Sequence, residues 1–394
     1  MKLGPFAQVL TLEGLPESGP ISDNALKVYE NAGIEITNGI ISYIGPMEGA
    51  PQNAVAMPGL IDAHTHLCFA GIRAKDYAAR LSGATYQEIA AKGGGILDSV
   101  RKTREATEQE LTQLTLERLK RAFSNGITTC EVKSGYGLSV EQELKLLQAI
   151  VAAGKLLQIT VVPTCLAAHT LPPEFDSHNA YLVYLVDKLL PQARQLCSRV
   201  DIFVEKGAFG VVEAEKYLLA AKELGFEICI HADQFSRGGA LLAAKVGATS
   251  ADHLEQSNDE DFAALKLAGV IPVILPGATL GLGMPFPPAR KILDAGLPLA
   301  IASDWNPGSA PMGDLLTQAA VLGAAQKLTM AETLAGITFR AAKALRLHDR
   351  GILAKGMRAD IAIFPGADYR EILYYQGSLK PSITIANGVV PDVT

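Results

Sequence analysis

The chain has 394 residues, 48% hydrophobic and 19% charged. This composition suits a globular protein with one large core and a smaller module beside it, and excludes a disordered or fibrous chain. A formal net charge of −6 at pH 7 gives no reason to expect nucleic acid or an anionic membrane surface as a partner.

No apolar run reaches the roughly 18 residues of a membrane span. The first residues, Met1-Lys2-Leu3-Gly4-Pro5, lack the long apolar core of a signal peptide. Of the five cysteines, none forms a CxxC pair, so reduced thiols in a cytoplasmic protein are expected. Cys130, Cys165 and Cys229 fall in apolar strand-like runs and read as core filler.

Residues 7–57 carry short β-like runs, such as Gly33–Thr37 and Ile40–Ile44, with turn residues between them. The first fully apolar strand pattern is Leu60–His66. A long insertion, residues 67–110, follows. Its Gly93-Gly94-Gly95 suits a flexible turn over a site, whereas a phosphate cradle would need a GK[ST] that does not follow. Seven more runs come next: Thr128–Val132, Ile159–Leu166, Asp201–Glu205, Glu227–His231, Ser250–Leu254, Val270–Leu275 and Leu299–Ser303. Between them, Val140–Leu157 and Val212–Leu224 have apolar residues at helical spacing. Eight buried strands alternating with helices predict a (β/α)₈ barrel. An open doubly wound sheet is disfavoured, because there is no GxGxxG turn and polar groups spread over many strand ends. After Gly351 the β pattern returns in Ala359–Phe364 and Ile383–Ile385. Both chain ends look antiparallel and too short to fold alone. They are expected to combine, as residues 1–58 and 351–394, into one small β-sandwich beside a barrel of residues 59–350.

Polar residues sit at the ends of the barrel runs. His64-Thr65-His66 closes the first, and residues i and i+2 of a strand face the same side, so both imidazoles can converge on one ion. His169 follows the third run, His231 ends the fifth, His253 the sixth and Asp304 the eighth. Any one of these could be a hydrogen-bonded core residue, but five histidines on one rim call for a polar site. His64, His66, His231 and Asp304 make an N₃O set that suits Zn²⁺, and also Fe or Mn, with one position open for water. The ion would acidify that water. A second metal bridged by a modified Lys206 is disfavoured, since Glu205 and Lys206 cannot both face inward. His178 and His348 have no assigned role. Trp305, the only tryptophan, is expected to wall the pocket.

Beyond these ligands, the run Pro58–His66 and the closing Gly351–Asp360 resemble the amidohydrolase superfamily. More narrowly, the chain resembles the imidazolonepropionase family of histidine degradation over nearly its whole length. The stretches Phe69–Arg73, Arg80–Tyr86, Gly93–Ile96, Glu131–Leu138 and Asp304–Ser309 carry that resemblance. It implies a metal-dependent hydrolase barrel holding one divalent or trivalent ion, zinc or iron. The implied reaction is hydrolysis of the cyclic amide 4-imidazolone-5-propanoate to N-formimidoyl-L-glutamate, by a homodimer. His64, His66, His231 and Asp304 match the family's metal ligands. Arg73, Tyr136 and His169 match positions that bind the substrate. Asn306, Gly308 and Ser309 match a loop that contacts product, and His253 matches a histidine that assists catalysis. One position departs from some members: Gln234 stands where they have a glutamate that handles the water's proton, and an amide cannot be a general base. That role then moves to Asp304, with His253 as electrostatic partner and Gln234 orienting substrate. Physically, Arg73 offers a bidentate fork for a propanoate tail, and Tyr136 sits in a glycine-flanked turn. The rival readings are an aminohydrolase acting on another ring, which would not need Arg73 and Tyr136, and a non-enzymatic member, which would have lost ligands.

Overall fold

A computed structural model of the chain describes residues 1–85, 88–89, 92–157 and 159–390. Tyr86, one of the residues carrying the resemblance, and 391–394 of the C-terminal segment lie outside the described residues. Eight parallel strands form one sheet in sequential order: β5 (Leu60–Asp62), β6 (Ile127–Lys133), β7 (Thr160–Ala168), β8 (Arg199–Val204), β9 (Glu227–Ala232), β10 (Ser250–His253), β11 (Ile271–Ile274) and β12 (Ala300–Ile301). The ring closes between its first and last strands. Thr65 and Trp305 form a parallel bridge. Asp304 N donates to His64 O at 3.0 Å and His66 N to Trp305 O at 2.9 Å. The fold is therefore the expected (β/α)₈ barrel.

Two strands are shorter than their apolar runs predict. β5 stops at Asp62 and β12 at Ile301. Ser303 N donates to the Asp62 side chain at 2.9 Å instead of to a neighbouring backbone carbonyl, so the ladder is interrupted there. His64 and His66 lie just past β5, on an extended segment held by the Thr65–Trp305 bridge. Alternation survives, and both imidazoles still face the same way.

The helices follow local chemistry. Glu108–Ser124 starts with a capping box in which the Thr107 side chain accepts from Glu110 N and Glu110 returns to Thr107 N, worth about 1 kcal/mol. Val140–Leu157 buries Leu146, Leu147, Ile150, Ala153 and Leu157, a stripe at helical spacing against β7. All five cysteines are free and buried.

Both chain ends meet in a second sheet of six strands, ordered β14-β13-β4-β1-β2-β3. These are β1 (Lys2–Leu10), β2 (Val28–Thr37), β3 (Ile40–Pro46), β4 (Gln52–Pro58), β13 (Ile361–Pro365) and β14 (Ile383–Ile385). Its core includes Ile34, Ala56 and Ile361. The expected antiparallel pairing holds except between β1 and β4, which run parallel, because the chain crosses over the β2–β3 hairpin before returning beside β1. No helix among the described residues is long and apolar enough to cross a membrane.

Candidate active site

Four side chains converge at the C-terminal mouth of the barrel. His64 Nε2 lies 3.2 Å from His66 Nε2 and 3.6 Å from Asp304 Oδ1. His66 Nε2 lies 3.2 Å from Asp304 Oδ1 and 3.4 Å from His231 Nε2. Donor atoms about 2.0–2.2 Å from a tetrahedral ion stand roughly 3.3–3.6 Å apart; His64, His66 and Asp304 have about that mutual spacing, with His231 Nε2 beside His66. The cluster's backing fits the same use. Asp252 Oδ2 accepts from His64 Nδ1 at 2.6 Å, and His231 Nδ1 pairs with Asp201 Oδ2 at 2.9 Å. Each carboxylate fixes the tautomer that turns a bare Nε2 lone pair inward. Burial pushes His66 down to about 3 and His231 down to about 4, so both imidazoles are neutral and able to ligate.

His253 completes the ring of histidines. Its ring centroid lies 5.3 Å from that of His231 and 6.0 Å from that of His64. Burial alone would lower its pKa, but Glu255, whose Oε1 is 3.5 Å from Nδ1, together with Asp304 and Asp252, raises it. Asp304 (φ 52°) and His253 (φ 86°) both adopt left-handed backbone, as do several other non-glycine residues of the chain.

These groups floor a cavity of about 700 Å³. Tyr136 and His169 wall it on one side, and Gln234 lies along its edge. The His169 ring stacks on His66 with centroids 5.3 Å apart. Its Nδ1 donates to Gly135 O at 3.0 Å, which leaves Nε2 as an acceptor. Gly135 has φ 113°, and a Cβ there would stand 3.0 Å from His169 Nδ1, so the turn accepts no other residue without displacing the ring. Among the described residues, the Gln234 amide has no hydrogen-bond partner.

The insertion, packed on the loop of residues 306–310, also lines the cavity. Arg73 Nε donates to Asp76 Oδ2 at 2.8 Å, and Gly95 N donates to the same oxygen at 2.9 Å. The glycine triplet is thus tied to the arginine through Asp76 rather than hanging free. Arg80, which the resemblance quoted without a role, donates to Gly308 O at 3.1 Å and lines the cavity. A Cβ on Gly308 would come within 2.4 Å of Arg73 Nη1, so only glycine allows that approach. Asn306 Nδ2 donates to Asp304 Oδ2 at 2.9 Å and to Ser309 Oγ at 3.0 Å, while its Oδ1 accepts from Gly308 N and Ser309 N.

Three expectations need correction. Trp305 does not line the cavity; it is buried with the Arg121 guanidinium 4.9 Å from its ring and Gly313 against its face. Strand alternation explains this, since Asp304 and Asn306 face inward and the residue between them faces out. The glycine triplet is held in place, as described above. Glu205 and Lys206, expected not to face inward together, both line the cavity; Glu205 accepts from Phe235 N and Ser236 N, and each metal-capable group among the described residues includes His64. Sequence reasoning missed Lys133, Glu131, Asp201 and Asp252, all fully buried beneath the histidines. The signal was charge inside otherwise apolar barrel runs, as in Thr128-Thr129-Cys130-Glu131-Val132-Lys133.

A profile of the amidohydrolase family matches residues 92–390. The chain is similar to the imidazolonepropionase of Bdellovibrio bacteriovorus, 39% identical with 97% of this chain and 94% of that protein covered. It is also similar to that of Symbiobacterium thermophilum, 42% identical with 94% and 92% covered. Among solved structures, a zinc complex of an atrazine chlorohydrolase from Arthrobacter aurescens TC1 superposes with a TM-score of 0.72 at 17% identity, covering 99% of this chain and 94% of that one.

Proposed function

This chain belongs to the amidohydrolase family and, within it, to the imidazolonepropionases, and on that premise we propose that it hydrolyses 4-imidazolone-5-propanoate to N-formimidoyl-L-glutamate in histidine degradation. The observation that carries this reading is the pairing of the His64, His66 and Asp304 cluster, with His231 beside it, and a cavity that Arg73 also lines. We assign residues 59–350 to the barrel and residues 1–58 with 351–394 to a small β domain. The working form is a cytoplasmic homodimer with no nucleic-acid or membrane partner.

His64, His66, His231 and Asp304 would hold one zinc or iron ion. When bound, that ion supplies Lewis acidity, easing proton loss from the attacking water and polarising the ring carbonyl. The residues do the rest. Arg73 takes the propanoate in a bidentate fork, with Tyr136 and His169 placing the ring against the floor. Asp304 accepts the water's proton: Oδ1 faces the histidines, while Asn306 Nδ2 at 2.9 Å and Ser309 Oγ at 3.5 Å from Oδ2 fix the carboxylate's orientation. His253, whose carboxylate neighbours favour its protonated form, faces the carbonyl oxygen as charge develops there. Gln234 orients the ring through its free amide. The amide C–N bond breaks, and the proton held at Asp304 passes to the leaving ring nitrogen.

The direct test is incubation with freshly prepared imidazolone propanoate, following loss of its ultraviolet absorbance against the uncatalysed decay. Rapid loss with formation of formimidoylglutamate is expected. Decay at the uncatalysed rate in the zinc- and iron-loaded protein would sink the assignment.

A further inference from the structure

One buried cation takes no part in the mechanism above. Lys133 is 0% exposed, and its stem crosses the barrel interior from β6. Its Nζ lies 2.7 Å from Glu131 Oε2, 2.9 Å from Asp201 Oδ2 and 3.8 Å from Asp252 Oδ2. These groups come from β6, β8 and β10, alternate strands that share a layer of a barrel's interior. The last two oxygens are the ones that grip the histidines: Asp201 Oδ2 pairs with His231 Nδ1 at 2.9 Å, and Asp252 Oδ2 accepts from His64 Nδ1 at 2.6 Å.

We infer that Lys133 is a positioning residue of the metal centre, clamping Asp201 and Asp252 and through them fixing the ring orientations of His231 and His64. This rests on the metal-binding part of the proposed function and not on the identity of the substrate.

Glu131, Asp201 and Asp252 place three carboxylates in a dry layer, against which stand Lys133 and Arg199, whose Nε is 3.6 Å from Glu131 Oε1. Without Lys133, one cation would face three anions, and the two histidine-gripping carboxylates would repel across the gap it fills. The two arms differ in what else holds them. Asp201 Oδ1 accepts from His231 N at 3.2 Å and Ile202 N at 2.7 Å. Asp252 Oδ1 is buried without a hydrogen-bond partner among the described residues. The ammonium lies 2.9 Å from Asp201 Oδ2 and 3.8 Å from Asp252 Oδ2, so it bears most directly on the Asp201–His231 arm. A lysine serving only to fill the core would not need to reach the same oxygen on two separate ligand supports.

The test uses the full-length chain carrying Lys133→Met. A second variant, Glu131→Gln/Lys133→Met, removes one charge of each sign and keeps the net charge of the layer. For each, folding is checked by circular dichroism and by the melting curve of the metal-free protein. Zn²⁺ affinity is measured by competition with a chromophoric chelator, and the visible spectrum is recorded after loading with Co²⁺. Outer-sphere partners of metal ligands typically change affinity by about 10–100-fold. A loss in that range is expected for Zn²⁺, with altered Co²⁺ d–d bands and a lower kcat at near-normal KM. A folded variant with wild-type Zn²⁺ affinity and an unchanged Co²⁺ spectrum would overturn the inference. So would failure of both variants to fold, which would make Lys133 a core ion. Wild-type protein that held neither Zn²⁺ nor Co²⁺ would instead overturn the metal reading itself.

Discussion

The floor and the rim of the cavity are built by different means. The floor residues project from barrel strand ends and are buried, and His64, His231, His253 and His169 are each backed by a carboxylate or a carbonyl. The rim is the helix Ala74–Leu81 with its flanking turns, which has no buried residue at all. It is tied down through a few contacts: Arg73 to Asp76, Gly95 to Asp76, and Arg80 to Gly308. Chemistry that must hold donor atoms to within tenths of an ångström sits on elements locked by the core. The carboxylate recognition proposed for Arg73 sits on a more exposed element. Changes in the floor should therefore appear in metal content and kcat, and changes in the rim in KM.

The largest break comes from the floor. Chelation, or His231→Ala, should reduce activity to background, and elemental analysis of the wild type should return about one ion per chain. Two tightly held ions would contradict a single centre. Next, His253→Ala should keep its metal and lower kcat by about 10²-fold or more. A near-normal kcat would remove His253 from the floor's chemistry.

The rim should respond more gently. Arg73→Lys keeps the charge but loses the fork, at a cost of about 1–3 kcal/mol in kcat/KM, carried mainly by KM. If kcat alone fell, the division between floor and rim would not hold. The smallest effect is expected at their border: Gln234→Ala should raise KM by about 2–5-fold, the loss of one neutral hydrogen bond. A collapse of kcat there, with metal retained, would move the proton-handling role from Asp304 to Gln234.

The barrel was legible because strands buried on both faces leave continuous apolar runs, and the site because His64, His66, His231, His253 and Asp304 interrupt those runs at their ends. Contacts between strands that are not sequence neighbours were not legible. Lys133, Asp201 and Asp252 meet only because of the register of β6, β8 and β10, and no local pattern encodes that. The parallel β1–β4 pairing was hidden for the same reason. Arg80 lies on a short exposed helix, where a positive residue looks like any solvated surface charge until the loop carrying Gly308 folds back over it. Trp305 was misplaced although its parity was readable, because its neighbour Asp304 drew it toward the site.

The closure of the barrel has a consequence for how the molecule comes apart. Among the described residues, the backbone link between first and last strands near the mouth runs through Thr65 and Trp305, with Asp304 N on His64 O and His66 N on Trp305 O. Three of the four donors that would grip the ion therefore lie on the two lips of one seam. An ion joining them is a rivet across that seam, and the ring cannot spread there while the rivet holds. Amide protons of His66 and Asp304 should then exchange with solvent far more slowly once zinc is added, while those of the distant β1–β2 pair keep their rates.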